Sequence, residues 1–228
     1  MREQARGTFL MMGTQWPAVL KRSIRGVQFF AHAPGFQGSK PEPESERHQL
    51  AKITIAKALR AAGYTAWVER PGTSPDGEPW QADVLCQADA RMIAFEVQLA
   101  HQTLEEYEAR SARYTRSGVT CVWLVLAPKP YGTLAKAIYY RLRSQRATLA
   151  ARPSLPHLAA LPLELSPSSE RAEDMQMVVF PEGAHRRIGM TEFVVGVAGA
   201  RLVFAANEWR WRDADGGHVR FTKTDIDF

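Results

Sequence analysis

Apolar positions recur along the chain with two different periods, and the switching between them predicts an α/β core. From Glu44 to Ala62, residues Ala51, Ile55, Ala58, Leu59 and Ala62 fall on one face of a helix, and Gly63 stands where a helix stops. Tyr64 to Arg70 reads as a strand. Pro71 to Pro79, with its prolines, glycines and Asp76-Gly77, is expected to be an irregular loop. Gln81–Gln87 and Arg91–Gln98 are strand-like runs joined by Ala88-Asp89-Ala90, the pattern of a hairpin. Thr103 to Ser117 is helical, with Leu104, Tyr107, Ser111 and Tyr114 along a seam and Gly118 behind it. Thr120 to Ala127 is continuously apolar, the mark of a strand covered on both faces.

The order helix, strand, strand, strand, helix, strand gives an α/β sandwich around a mixed sheet. Ahead of it, the Gly/Pro/Ser-rich stretch Ala33–Pro43 reads as a linker. Behind it, Thr133–Ala150 looks helical, Pro153–Glu173 irregular, and Met175–Phe180 and Ala200–Ala206 strand-like. Three parts follow: an N-terminal segment and linker (1–41), a core (42–128) and a C-terminal extension (129–228).

Composition narrows the class. Of the 228 residues, 45% are hydrophobic and 23% charged, ordinary values for a globular chain. At this length a core buries about 70–75% of the unfolded surface, so no disulfide or metal staple is required. The longest apolar runs, Val119–Ala127 and Phe193–Ala206, are too short or too broken to span a bilayer. The apolar stretch Phe9–Met12 is shorter than the core of a signal peptide. Cys86 and Cys121 lie in separate apolar segments without the close spacing of zinc ligands, as reduced thiols of a cytoplasmic protein would. Charge is uneven. Residues 1–41 carry six basic and one acidic side chain, 42–128 nine and twelve, 129–228 fourteen and eleven. An acidic middle between basic flanks fits a metal site beside a surface for a polyanion, although charge also varies along any surface.

The hairpin holds the residues with the clearest chemistry. Side chains two apart in a strand share a face, so Glu96 and Gln98 point together and away from Ile93, Phe95 and Val97. Asp83 on the neighbouring strand either caps an exposed edge or meets Glu96. If they meet inside apolar runs, repulsion and desolvation require a proton or a cation between them, and a hard divalent cation suits carboxylate ligands. Upstream, Glu44, His48 and Lys52 form an i, i+4, i+8 stripe, either a solvated row or part of the same cluster. Glu106, Arg110 and Tyr114 repeat that spacing. Glu69, on the strand before Asp83, is a further acidic candidate. There is no Gly-x-Gly-x-x-Gly, phosphate-binding Gly-Lys-Ser/Thr or Gly-x-Ser-x-Gly to support a metabolic enzyme.

Taken together, these residues resemble the CoiA-like competence proteins of the PD-(D/E)xK nuclease superfamily. The resemblance runs from Phe30-Ala31-His32, through Glu44-Ser45-x-x-His48 with Lys52, Asp83 and Glu96-x-Gln98, to the Arg110-x-x-x-Tyr114 helix and the Trp-bearing strand Val122–Leu126. Glu192-Phe193-Val194 is similar to a C-terminal segment of that family. Three features depart from the pattern: the N-terminal cysteine pairs are absent, Gln-x-Ser is Gln98-Leu99-Ala100, and Gln98 stands at the superfamily's usual lysine.

The resemblance implies a restriction-endonuclease-like fold and metal-dependent hydrolysis of phosphodiester bonds in DNA, in uptake, recombination, repair or defence. Asp83 and Glu96 would hold Mg²⁺ or Mn²⁺, with Glu44 as a third ligand or a carboxylate acting through water. Gln98 would orient the attacking water, and His48 or Lys52 would furnish the proton acceptor or charge that lysine usually provides. DNA is the expected partner, with recombination or DNA-processing proteins beside it. Lys136, Arg141, Arg143 and Arg146 lie in a stretch, 129–163, that has six basic and no acidic residues. They are the expected DNA-binding positions, unless that helix is simply a solvated basic one. The alternative is a DNA-binding or recombination-accessory protein on a nuclease-like fold that no longer cleaves.

Overall fold

The computed structural model describes residues 9–11, 14–22, 28–38, 45–144, 159–165, 177–179, 187–205, 208–212 and 218–220. The chain divides into two compact units, Met1–Leu50 and Ala51–Phe228. In the first, β1 (Ala18–Arg22) and β2 (Gln28–His32) form an antiparallel pair in the register Ala18↔His32 to Arg22↔Gln28. Trp16 Nε1 donates to the Ala33 carbonyl at 3.1 Å, and the His32 ring stacks on Phe36 at 3.9 Å.

Helix α1 (Glu46–Ala61) begins in the first unit and runs into the second. Ser45 caps it: its hydroxyl accepts from the His48 amide at 3.2 Å. It ends where Gly63 takes a positive φ of 88°. The second unit is built on a seven-stranded mixed sheet in simple chain order: β3 (Thr65–Thr73), β4 (Pro79–Ala88), β5 (Arg91–Gln98), β6 (Val119–Leu126), β7 (Ala159–Glu164), β8 (Met177–Val179) and β9 (Arg187–Gly189). The β5–β6 and β6–β7 pairs are parallel and the rest antiparallel. Helices α2 (Leu104–Arg116), α3 (Tyr131–Ser144) and α4 (Met190–Ala198) complete the unit, with a small antiparallel sheet of β10 (Leu202–Ala205), β11 (Glu208–Arg212) and β12 (His218–Arg220).

Alternation along the central strands divides the core in two. Val84, Cys86, Ile93, Phe95, Val97, Val122 and Leu124 pack with Ala51, Ile55 and Leu59 of α1 and with Phe193, Val194 and Val197 of α4. Leu85, Ala94, Cys121, Trp123 and Val125 pack instead with Tyr107 and Tyr114 of α2 and Leu134 of α3. Each large side chain so buried contributes about 1.5–3 kcal/mol. Cys86 and Cys121 are both buried free thiols and belong to opposite layers, and burial pushes Cys86 up to about 11. Among the described residues no helix is long and apolar enough to cross a membrane.

The α/β architecture, a mixed sheet flanked by helices, is that of the restriction-endonuclease-like expectation. Two local expectations are corrected. Residues 71–73 and 79 are not loop: the β3–β4 pairing continues through Pro71↔Gln81 to Thr73↔Pro79, leaving only 74–78 as the turn. β3 is the edge of the sheet, where a proline's missing N–H costs no ladder bond. The proline-rich stretch after residue 153 is not wholly irregular either, because Ala159–Glu164 forms β7 beside β6. Among the described residues β8 pairs with Leu163 and Glu164 and not with Pro162, whose missing N–H therefore costs no described ladder bond on that side.

A close approach between α4 and β11 offers a test of this packing. A Cβ on Gly196 would lie 2.4 Å from the fully buried Trp211 ring. Gly196→Ala should therefore destabilise the second unit by about 1–3 kcal/mol, the usual cost of overpacking, measured as a lower urea midpoint at unchanged slope.

Candidate active site

The site is built where two strands stop pairing. β4 and β5 pair from Ala88↔Arg91 to Val84↔Phe95; beyond that point side chains replace the main-chain ladder. Glu96 Oε1 accepts the Asp83 amide at 3.3 Å, and Asp83 Oδ2 accepts the Val97 amide at 2.8 Å. Each carboxylate thus satisfies the backbone of the other's strand. β5 continues beside β6 to Gln98↔Val125 while β4 stays with β3, so the sheet forks at the two acids.

Glu96 is only 1% exposed and is held from α2. Thr103 sets that helix with a capping box, its hydroxyl accepting from the Glu106 amide while the Glu106 carboxylate accepts from the Thr103 amide. Glu106 is therefore a cap, whereas its i+4 and i+8 neighbours turn to the fork. Arg110 Nη2 donates to Glu96 Oε2 at 2.5 Å, and its guanidinium lies 4.5 Å from the centre of the Trp123 ring. The Tyr114 hydroxyl faces two acceptors, Glu96 Oε1 at 2.5 Å and the Gln81 carbonyl at 3.0 Å. One hydroxyl carries one proton. All partners are satisfied at once only when Glu96 itself bears a proton and donates to Tyr114, which then donates to Gln81. The electrostatics agree: desolvation and then the Asp83 charge raise Glu96 from 4.5 to about 7, outweighing Arg110.

A second polar chain crosses the edge of the sheet. Glu69 takes a positive φ of 55° between the pairs Val68↔Val84 and Arg70↔Ala82, which places it opposite Asp83. Such a backbone costs a non-glycine residue of order 1–3 kcal/mol and persists only where surroundings hold it. Here Lys52 of α1, 3% exposed, donates to one Glu69 oxygen and Gln81 Nε2 to the other. Lys52, Glu69, Gln81, Tyr114 and Glu96 are thereby linked.

The remaining expected residues are placed as follows. Gln98 is half-buried, and its amide donates to the Ala100 carbonyl at 2.9 Å. His48 belongs to the first unit, half-buried on α1, with its amide bonded to the Ser45 hydroxyl. Glu44 and Arg146 lie outside the described residues, as do the side chains of Arg141 and Arg143; Lys136 is exposed on α3. Among the described residues no three His, Cys, Asp or Glu side chains group closely enough to hold a metal, so Asp83 and Glu96 are the described carboxylates to consider. They fit a hard divalent cation: the donors are oxygens, and a cation would relieve the repulsion between them. Gln81 and Trp123 had no sequence signal as partners of the site. Arg110 and Tyr114 had one, their i, i+4 spacing, which an ordinary packed pair shares.

Residues 44–158, just over half of the chain, match the family model described as "Competence protein CoiA, nuclease-like domain". The mixed sheet and its flanking helices are those of a nuclease-like α/β domain. The chain belongs to the CoiA competence protein family. Among curated proteins none matches. Among solved structures it is similar to the crystal structure of a protein of unknown function, AF1548, at 13% identity and a TM-score of 0.30. That match covers 40% of this chain and 54% of the other, just over half its length.

The raised Glu96 carboxyl has a measurable consequence. The native state holds this proton more tightly than the unfolded chain, so its contribution to stability is complete below about 4.5 and lost as pH rises through about 7. In urea titrations with a chelator present, the wild type should lose stability across that window relative to Glu96→Gln. A difference that does not vary between pH 4.5 and 7 would contradict the assignment.

Proposed function

We propose that this protein is a metal-dependent DNA nuclease acting in the cytoplasm. The observation that carries the reading is the Asp83–Glu96 fork: two carboxylates brought together at a strand divergence, one of them fully buried. A pair of this kind is destabilising as a structural feature alone, and metal binding in the family's nuclease-like domain would account for it. Asp83 and Glu96 would hold Mg²⁺ or Mn²⁺, with Glu44 as third ligand or as a carboxylate acting through water. A divalent ion bound there supplies Lewis acidity and lowers the pKa of its water.

The chain's own residues do the rest. Arg110 and Tyr114 fix the Glu96 carboxylate, and Arg110 adds positive charge beside it. Lys52, held by Glu69, is a buried ammonium of the kind that Gln98 cannot supply, and Gln98 would orient the nucleophilic water by hydrogen bonding. His48 remains the candidate proton acceptor. Lys136, Arg141, Arg143 and Arg146 would neutralise phosphates along α3 and beyond, and DNA-processing proteins would be the natural partners.

Two observations favour a second reading, a DNA-binding accessory protein without activity. Both Glu96 oxygens are already engaged, by the Asp83 amide, Arg110 and Tyr114, and the Gln98 amide is turned to Ala100. Cleavage assays separate the two. Purified protein with Mg²⁺ or Mn²⁺ should cut single-stranded or duplex DNA, and Asp83→Ala should reduce the rate by orders of magnitude while leaving the far-UV circular dichroism unchanged. Wild-type protein that binds DNA but cuts none of these substrates would decide for the accessory role.

A further inference from the structure

Between the β3–β4 ribbon and α2, on the Glu96 face of the sheet, lies a cleft of about 460 Å³, within the range of small-ligand sites. Its wall includes Thr73, Trp80, Gln81, Arg110, Arg113 and Tyr114, and no acidic residue lines it. The two arginines differ. Arg110 is turned to the buried Glu96 carboxyl at 2.5 Å. Arg113 donates to the Pro79 carbonyl at 3.2 Å, a neutral acceptor, and pairs with no carboxylate among the described residues. Its neighbour Arg116, one turn on, is instead bound to Asp76 and Glu78 of the 74–78 turn. The cleft therefore keeps one half-buried positive charge uncompensated.

Trp80 is the second built feature. Its Nε1 donates to Ser117 Oγ at 2.8 Å, and its ring lies 5.0 Å from that of Tyr114. Across the ladder it covers Gly72, where a Cβ would meet the indole at 2.1 Å. A bare glycine, a hydrogen bond and an aromatic neighbour hold this ring in one place. A fixed aromatic beside an unpaired arginine is the pair of groups that takes a base and its phosphate.

We propose that the cleft binds one nucleotide of a single-stranded DNA segment, with the phosphate on Arg113 and Thr73 and the base against Trp80. The inference rests on the nuclease reading for the identity of the strand. The cleft shares Arg110 and Tyr114 with the fork, so a nucleotide held there would lie next to the cleavage site and position the strand for it. Only an unpaired base can offer its π-face to Trp80, so the site selects single-stranded over duplex DNA.

The test is binding of a fluorescent single-stranded oligonucleotide to the full chain, followed by anisotropy in EDTA so that cleavage plays no part. Arg113→Gln should weaken binding several-fold and lower the slope of log affinity against log salt by about 0.7, the share of one phosphate contact on a single strand. Arg113→Lys should restore the slope. Trp80→Leu should weaken single-stranded binding by about ten- to a hundredfold, the usual effect of losing a base–aromatic stack, and leave duplex binding unchanged. Circular dichroism checks its folding; should it misfold, the Arg113 pair decides alone. Wild-type affinity and salt slope in both Arg113→Gln and Trp80→Leu would overturn the subsite while the nuclease reading stands. Inorganic phosphate competing as well as the oligonucleotide would reassign the cleft to a free anion and overturn it too. Wild-type protein that binds no DNA of any form would overturn both.

Discussion

The structure around the site depends on how one buried carboxylate is satisfied. Glu96 is buried in the second unit at 1% exposure, where an isolated negative charge would cost many kcal/mol. Two elements supply its partners: β4 through the Asp83 amide, and α2 through Arg110 and Tyr114. Because Tyr114 also reaches the Gln81 carbonyl, and Arg110 is sandwiched against Trp123, the acid fixes where α2 lies on the sheet. The fork between β4 and β5 follows from the same bonds, since Glu96 and Asp83 each take an amide that the ladder would otherwise use. Removing Glu96 would thus loosen more than a ligand, which is why Asp83 is the cleaner position at which to test chemistry.

On the other side of the ribbon the Lys52–Glu69–Gln81 chain makes a parallel arrangement. Lys52 is buried and cationic, and Glu69 holds a left-handed backbone to reach it. A lysine in the Glu-x-Lys position would extend from β5 itself; here Gln98 stands there, and the buried ammonium comes from α1. The two polar chains meet at Gln81, whose side chain serves Glu69 and whose carbonyl serves Tyr114. Positive charge from two helices is thereby brought to the two edges of one strand.

Much of the core was legible because period and punctuation agree there. Ala51, Ile55 and Leu59 of the helix face, the alternation of Ile93, Phe95 and Val97, and the doubly apolar Val122–Val125 are buried as their patterns require, whereas Ala58 and Leu126 are half-buried and Ala62, past the end of α1, is exposed. Prolines misled where tertiary context decides: Pro71 is harmless on an edge strand, and Pro162 lies beyond the pairing of β7 with β8 among the described residues. The N-terminal pair β1–β2, the helix α4 and the strands β11 and β12 carry short or irregular patterns that periodicity does not resolve. At the site, strand parity put Glu96 and Gln98 on one face, but it could not show that Asp83 would reach across a broken ladder. Nor could it show that Arg110 and Tyr114, four apart on a helix, serve a strand residue. Glu106 shows the converse, since its place in the same stripe belongs to a capping box.

The central claim is that the acids at the fork form a cation site. Its most direct measurement is Mn²⁺ binding, followed by electron paramagnetic resonance, to the full chain in the presence of phosphorothioate DNA that resists cleavage. The account predicts saturable binding to the wild type that is lost in Asp83→Asn, with the fold intact. Equal Mn²⁺ binding by the wild type and Asp83→Asn, or none by either, would contradict it.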